Sequence, residues 1–387
     1  DVGSGKTIVA FIAIYMNHLA NFQSAFLAPT EILAIQHYEN IQNILPQLNI
    51  KLLTSSTKKS ERNKIIKELK NNEIDCIIGT HSLINDEVIF NNLGLVITDE
   101  QHRFGVNQRK NLQNKGELVD VLYMSATPIP RTYALTIYGD MDISEIKTKP
   151  SGRKEIITKL YKETELKECL LIMLNEIKKG HQIYVISSLV EENEDNNLYD
   201  VEKLRDKLNV AFNNKIPIDI LHGKLKSKEK EEIMSKFQRN ETKILISTTV
   251  IEVGVDVKNA TCIVIFNAER FGLSTLHQLR GRVGRNEFIS YCIMISNYEK
   301  ERLNVLTSST DGFYIAEKDF ELRGSGNLFG TKQSGQMIFK LADIKEDIRI
   351  LKQCNIDSKE FIEENINNNF MNYPHYKEII NEINFID

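Results

Sequence analysis

At 387 residues the chain is long enough for two or three domains of about 150 residues each. Its 41% hydrophobic and 26% charged residues exclude a disordered or low-complexity chain and provide apolar material for two full cores. The net charge of −4 excludes nucleic-acid binding by bulk charge: residues 345–387 hold five Lys/Arg against nine Asp/Glu, and residues 1–344 are neutral.

No run reaches the roughly 18 apolar residues of a membrane span and no signal peptide is recognisable, so no membrane association is expected. Cys76, Cys169, Cys262, Cys292 and Cys354 show no C-x-x-C pairing and no His at metal-ligand spacing. They are expected to be reduced thiols in a cytosolic protein, with Cys76, Cys262 and Cys292 buried in strand-like runs.

In chain order, Gly3-Ser4-Gly5-Lys6-Thr7 opens into an apolar helix predicted over Lys6–Leu19. Triphosphate oxygens need several N–H donors converging on them. Only small residues let the backbone come that close, and a helix N-terminus adds a favourable dipole. Gly3, Ser4, Gly5, Lys6 and Thr7 are therefore the ATP-binding candidates, with Lys6 on the β/γ-phosphates and the Thr7 hydroxyl on Mg²⁺. Such a loop follows a buried strand, and neither that strand nor the first Gly of G-x-x-x-x-G-K-T precedes it here. The sequence is expected to be a piece of a longer chain.

Strands predicted at Ala25–Ala28, Lys51–Leu53, Asp75–Ile78, Leu95–Thr98 and Val121–Met124 alternate with helices at Ile32–Ile44 and Lys59–Leu69. This alternation predicts a parallel sheet with right-handed crossovers and helices on both faces. The Leu95–Thr98 strand runs into Asp99 and Glu100. Asp99 is the second metal candidate, and Glu100 is placed to orient an attacking water and take its proton. Thr30-Glu31 and Thr80-His81 fall at strand ends and suit backbone phosphates, although each also reads as an ordinary helix cap. Ser125 and Thr127, after Val121–Met124, either couple nucleotide state to domain closure or cap the next helix.

Lys149-Pro150-Ser151-Gly152-Arg153 is the predicted interdomain linker. A second α/β series follows: helix Glu165–Lys179, strand Gln182–Ser187, an acidic loop Glu191–Asn197, helix Val201–Leu208, strand Ile218–Leu221 and helix Lys228–Phe237. It continues with strands Lys243–Ser247 and Thr261–Phe266, helix Thr275–Val283 and strand Ser290–Ile295. Thr248, Glu252 and Asp256 are further backbone-gripping candidates. Gln278, Arg282 and Arg285 lie four and three residues apart, so on the predicted helix they share one face. From there a guanidinium could offset charge on a γ-phosphate held by the first domain. Residues 299–322 read as two helices, followed by a Gly-rich loop from Arg323 to Gly330 and a helical, Asn-rich end.

Gly3–Thr7, Ala28–Glu31, Asp99–His102, Ser125–Thr127, Thr248–Asp256 and Gln278–Arg285 resemble, in order, the motifs of superfamily 2 helicases. The RecG family is the closer likeness, carried by Asp1–Thr7, Ala28–Ala34, Asp99–Val106, Ser125–Thr132, Asn267–Leu273 and His277–Arg285. Asp311–Gly335 looks like that family's translocation element, which places Arg323 among the DNA-coupling residues. The resemblance implies an α/β fold of two RecA-like, doubly wound parallel-sheet lobes, 1–150 and 151–298, then a helical hairpin and tail, 299–387. It further implies an ATP-dependent helicase and double-stranded DNA translocase, using ATP and Mg²⁺, that reverses stalled forks and migrates Holliday junctions in recombination and repair. Its partners would be branched DNA and single-stranded DNA-binding protein, with the enzyme a monomer at the nucleoid in the bacterial cytoplasm.

The transcription-repair translocase Mfd shares much of this pattern. Ser4, Asn267–Arg270, and Phe329-Gly330-Thr331 followed by Phe339–Asp343 favour the RecG family. A catalytically silent DNA-binding piece is the rival from another class. That family's wedge domain and adenine-recognising residues would lie ahead of Asp1.

Overall fold

The structure is a computed structural model that describes residues 1–101, 104, 106–126, 142–148, 154–187, 194–248, 257–298, 301–323, 347–367, 370, 372–373 and 375–376. The predicted linker at 149–153 lies outside these residues. Both sheets and the helices as far as Leu322 belong to one compact unit, and the helix Ile348–Ile366 belongs to a second.

The first sheet contains β1 (Gln23–Leu27), β2 (Ile50–Leu53), β3 (Cys76–Gly79), β4 (Leu93–Thr98) and β5 (Asp120–Tyr123), in the order β2-β3-β1-β4-β5. The second contains β6 (Ile156–Tyr161), β7 (Gln182–Ile186), β8 (Ile218–Leu221), β9 (Ile244–Ser247), β10 (Ala260–Phe266) and β11 (Ser290–Ile295), in the order β6-β11-β10-β7-β9-β8. Every pairing is parallel. Parallel strands need crossovers on both faces, and the cores reflect this. Ala25 and Leu27 pack on one side of β1 with Ile65, Leu69 and Val96, while Phe26 and Ala28 pack on the other with Phe11, Ile14 and Ile41. The second sheet is likewise covered twice. The predicted doubly wound class is observed in both halves.

One strand and three helices differ from the sequence reading. Strand β6 was not expected: it is an edge strand paired only to β11, and its half-exposed alternation carries a weak signal. Helix Val106–Gln113 is polar almost throughout and has little periodicity to detect. The expected acidic loop Glu191–Asn197 is overtaken from Glu194 by helix Glu194–Ala211, whose first residues place carboxylates where a helix dipole favours them. The helix expected over Thr275–Val283 runs instead from Leu273 to Arg280, because Gly281 ends it and Gly284 takes a φ of 73°.

Pairing register aligns the strand ends. Leu27 lies opposite both Gly79 and Thr98, and Thr98 lies opposite Tyr123. The residues that follow, including Thr30, Thr80, Asp99 and Ser125, therefore emerge on one rim of the sheet, where α/β proteins bind ligands.

The opposite rim carries a device present in both halves. Gln23 opens β1, donates to Leu69 O and Ile74 O at 3.0 Å each, and accepts from Asn91 N at 2.9 Å and Asn92 N at 3.1 Å. Gln182 opens β7, donates to Phe237 O at 2.6 Å and Thr242 O at 2.8 Å, and accepts from Asn259 Nδ2 at 3.2 Å. Both amides are buried and tie the loops beneath their sheet to an inner strand. Gln23→Leu and Gln182→Leu keep the volume but strand several buried polar groups. Each is expected to cost about 2–4 kcal/mol, read as a lower urea midpoint at unchanged slope.

Candidate functional site

The phosphate-loop candidates form a turn that only glycine enters without strain: Gly3 has φ 70° and Gly5 has φ 89°. Gly5 caps helix α1 (Lys6–Leu19) with no side-chain hydrogen bond, so the first N–H groups of that helix have no capping side chain. Ser4 N donates to Asp1 O at 3.4 Å, and Lys6 Nζ donates to the same oxygen at 2.6 Å. Ser4 Oγ is buried without a hydrogen-bond partner among the described residues, and Thr7, three residues on, is half-buried.

Asp99 and Glu100 leave the fully buried β4. Asp99 N donates to Leu27 O at 3.0 Å, which holds the turn against β1. Glu100 has φ 49°, a left-handed conformation uncommon for a non-glycine residue. Its carboxylate accepts from Ala126 N at 3.4 Å, joining it to the loop after β5 that carries Ser125. The Asp99 carboxylate is held on two sides: Oδ1 accepts from Glu100 N at 3.0 Å, and Oδ2 lies 3.0 Å from His37 Nε2. His37 is buried on helix α2 (Glu31–Ile44), against the Phe26 ring.

From the second sheet, helix Leu273–Arg280 brings buried Gln278, and the turn beyond it brings buried Arg282 and half-buried Arg285. The expected shared helical face is corrected accordingly: Gln278 is helical and the two arginines are not. Arg285 Nε donates to Gly281 O at 3.1 Å, so the turn folds back on itself. Gly281 also allows a close approach, since a Cβ there would lie 2.3 Å from Val2 Cγ1 in the phosphate loop. The two segments therefore touch.

The charges of this region act on one another. Burial pulls the Lys6 ammonium below its ordinary value, Arg282 and Arg285 add to that, and the carboxylates of Glu100 and Asp99 oppose it. Burial pushes the Glu100 carboxyl up, the Asp99 charge adds to the rise, and Lys6, the Ala126 N–H and Arg282 oppose it. Lys6, Asp99, Glu100 and Arg282 thus share one poorly solvated space, with Arg285 at its margin.

Thr30 caps α2 by accepting from Leu33 N at 3.4 Å. Burial pushes the Glu31 carboxyl up, but hydrogen bonds from Ser56, Thr54 and Ser55 outweigh it and hold the group below its ordinary value. Glu31 is thereby tied to the loop after β2. Thr80 is half-buried, and His81 opens a short 3₁₀ turn with its ring tilted against Phe104 at a centroid distance of 5.2 Å. Thr248 is buried at the end of β9. Thr127, Glu252 and Asp256 lie outside the described residues, as does the side chain of Arg323.

Sequence reasoning missed His37, Asp1, His277 and Arg280. A histidine on the buried stripe of Leu33, Ala34 and Ile41 was the only signal for His37. Cys76, Cys169, Cys262 and Cys292 are buried thiols, with Cys169 and Cys292 pushed up to about 12 by burial, and Cys354 is exposed. No helix among the described residues is long and apolar enough to cross a membrane.

The residues fit a nucleoside triphosphate with its cation. The glycine turn, the uncapped helix start, Lys6 and the buried Ser4 Oγ suit phosphate oxygens. Among the described residues no three His, Cys, Asp or Glu gather as a metal site. Thr7 and Asp99 suit a cation that takes few protein ligands and completes its shell with phosphate and water, as Mg²⁺ does.

Three family models match the chain: DEAD/DEAH box helicase over residues 1–135, helicase conserved C-terminal domain over 147–287, and ATP-dependent DNA helicase RecG, domain 3, C-terminal over 309–383. ATP-dependent DNA helicase RecG of Staphylococcus epidermidis is 49% identical over 94% of this chain and 54% of its own length. The same-named protein of Streptococcus pneumoniae is 50% identical over 92% of this chain and 53% of its own length. The chain spans about half the length of these relatives. A solved RecG bound to a three-way DNA junction aligns at TM-score 0.71 with 42% identity, covering 91% of this chain and 46% of that one. Yeast Dbp5 bound to RNA and ADP BeF3 aligns at 0.60 with 19% identity, over 81% of each chain, a likeness of fold alone. The match at 309–383 favours RecG over the transcription-repair likeness.

A carboxyl raised by folding adds stability below its unfolded value and loses it as pH rises through its folded value. Glu100 is such a group, so raising the pH above the ordinary glutamate value costs the fold stability. Glu100→Gln is expected to melt at a higher temperature than wild type at about pH 8, with the gap closing toward about pH 4.5. An unchanged gap across that range would contradict the burial described here.

Proposed function

Since the chain belongs to the RecG family, we propose that it is the two-lobed motor of an ATP-dependent DNA helicase that translocates on and remodels branched double-stranded DNA. The single observation that carries the proposal is the close approach of the arginine-bearing turn to the phosphate loop, where a Cβ on Gly281 would lie 2.3 Å from Val2 Cγ1 and Arg282 comes within the electrostatic reach of Lys6 and Glu100. Residues 1–150 form the first lobe, 151–298 the second, and 299–387 the hairpin and tail that transmit the stroke to DNA.

The glycine turn, Ser4, Lys6 and the N-terminus of α1 hold the phosphates, and Thr7 with Asp99 holds the cation. Bound Mg²⁺ supplies Lewis-acid polarisation of the phosphoryl oxygens. Glu100 orients water and takes its proton at the carboxylate, which its Ala126 contact keeps aimed. His37 fixes the Asp99 rotamer. Arg282 and Arg285 neutralise charge that grows on the transferring group, with Gln278 beside them. Closing the lobes excludes water, and opening them releases products. The rim loops with Thr30, Thr80 and Thr248 face the DNA backbone and change grip with each closure. Partners are forked and Holliday-type DNA and single-stranded DNA-binding protein, met by a monomer at the bacterial nucleoid.

The test is DNA-stimulated ATP hydrolysis by the protein at its full encoded length. Wild type is expected to turn over and to be stimulated by forked DNA. Lys6→Ala and Glu100→Gln abolish turnover, and Arg282→Ala lowers kcat by about a thousandfold or more. Equal hydrolysis by wild type and Lys6→Ala would overturn the motor reading.

A further inference from the structure

We infer that Asp1 and His277 are positioning residues, a buried latch that reports the state of the phosphate loop to the helix pair 301–323. This inference rests on the motor reading above and adds residues that the reading does not use.

The His277 Nε2 and Asp1 Oδ1 atoms lie 2.7 Å apart across 276 residues of sequence, and the two side chains are only 6% and 7% exposed. Burying such a pair is costly unless its geometry is satisfied, so it marks a specific docking of loop against helix. The other face of the imidazole is also engaged, with Nδ1 3.0 Å from Arg280 NH2. A guanidinium can only donate, so Nδ1 accepts, the ring proton sits on Nε2, and Asp1 is its acceptor. The donor sense of the whole line is thereby fixed.

At one end, the line begins on Lys6, whose Nζ donates to the carbonyl of Asp1. At the other, Arg280 donates through NH1 to Leu306 O at 2.7 Å and Ser309 O at 2.8 Å. Those carbonyls close helix Glu301–Ser308 and lead into helix Gly312–Arg323. Gly312 abuts the latch directly: a Cβ there would lie 2.5 Å from Asp1 Oδ1 and 2.9 Å from His277 Nε2. Ser274 on the His277 helix is hydrogen-bonded to Asp319 on the second of these helices. A line of hydrogen bonds therefore joins the phosphate-binding lysine to the end of helix Glu301–Ser308, and a separate bond ties the His277 helix to helix Gly312–Arg323.

The Lys6 ammonium has three N–H donors and gives one to Asp1 O at 2.6 Å, so triphosphate oxygens that recruit the other two pull on its position. Nucleotide that draws Lys6 from the Asp1 carbonyl alters the support of Asp1, and His277 passes the change to Arg280 and the helix pair. The latch thus couples occupancy to movement without touching the reacting atoms.

The experiment compares strand displacement of forked DNA per ATP hydrolysed, in the full-length protein, for Asp1→Ala, His277→Ala, the double variant, Asp1→Asn and Gly312→Ala. Each alanine variant is expected to lower the ratio about tenfold, and the double variant to lower it no further, because the two act as one unit. Asp1→Asn keeps an acceptor for Nε2–H and is expected to retain most of the ratio. Gly312→Ala, which presses on the latch while leaving both its members in place, is expected to lower it. Thermal melting of each variant separates misfolding from uncoupling, and Asp1→Asn and Gly312→Ala carry the test if an alanine variant fails to fold. An unchanged ratio, or single effects that multiply in the double variant, would overturn the latch. Hydrolysis by wild type equal to that of Lys6→Ala would instead overturn the motor reading itself.

Discussion

A lysine, two carboxylates and an arginine share a space from which water is largely excluded. Lys6 comes from the start of a helix in one lobe, Asp99 and Glu100 from the end of a strand beside it, and Arg282 from a turn in the other lobe. Each charge would be costly if buried alone, and each is tolerable because the others are present. Neither lobe carries the balanced set by itself. A triphosphate and its cation suit this arrangement, since they bring further charge of both signs to a place already organised for it.

The backbone delivers these groups with little freedom. Parallel strands in register end at the same height, so Thr30, Thr80, Asp99 and Ser125 follow from one rim without any side-chain design. What side chains add is aim. His37 clamps Asp99 from a neighbouring helix, and the Ala126 N–H reaches the Glu100 carboxylate from the next loop. Gly281 lets Val2 approach the arginine-bearing turn closely. Local strain at Glu100 accompanies this aim: its left-handed backbone is stored at the residue proposed to do the chemistry.

Much of this was legible in the amino-acid order, for physical reasons. A phosphate loop needs glycines with positive φ and a lysine at a fixed offset, so Gly3 to Thr7 stand out. A buried strand ending in two carboxylates is rare enough that Asp99 and Glu100 stand out as well. Burial on both faces made β4, β7 and β10 largely apolar runs, and β1 apolar from Ala25 on. The edge strand β6 lacked that signal. The helix end at Arg280 was misplaced because periodicity continued through Gly281, whereas the backbone did not. His37, His277 and Asp1 were hidden for a different reason: their roles depend on partners 62 and 276 residues away, which no local pattern encodes. The role of Arg280 was equally non-local, since its guanidinium ends on backbone carbonyls of another helix.

The most direct measurement is a structure of the protein with Mg²⁺ and a non-hydrolysable ATP analogue. The account requires the γ-phosphate to lie between the Lys6 loop and the guanidinium groups of Arg282 and Arg285, with Asp99 and Glu100 at the cation and water side. A nucleotide held by the first lobe alone, with both arginines directed elsewhere when the lobes are closed, would contradict it.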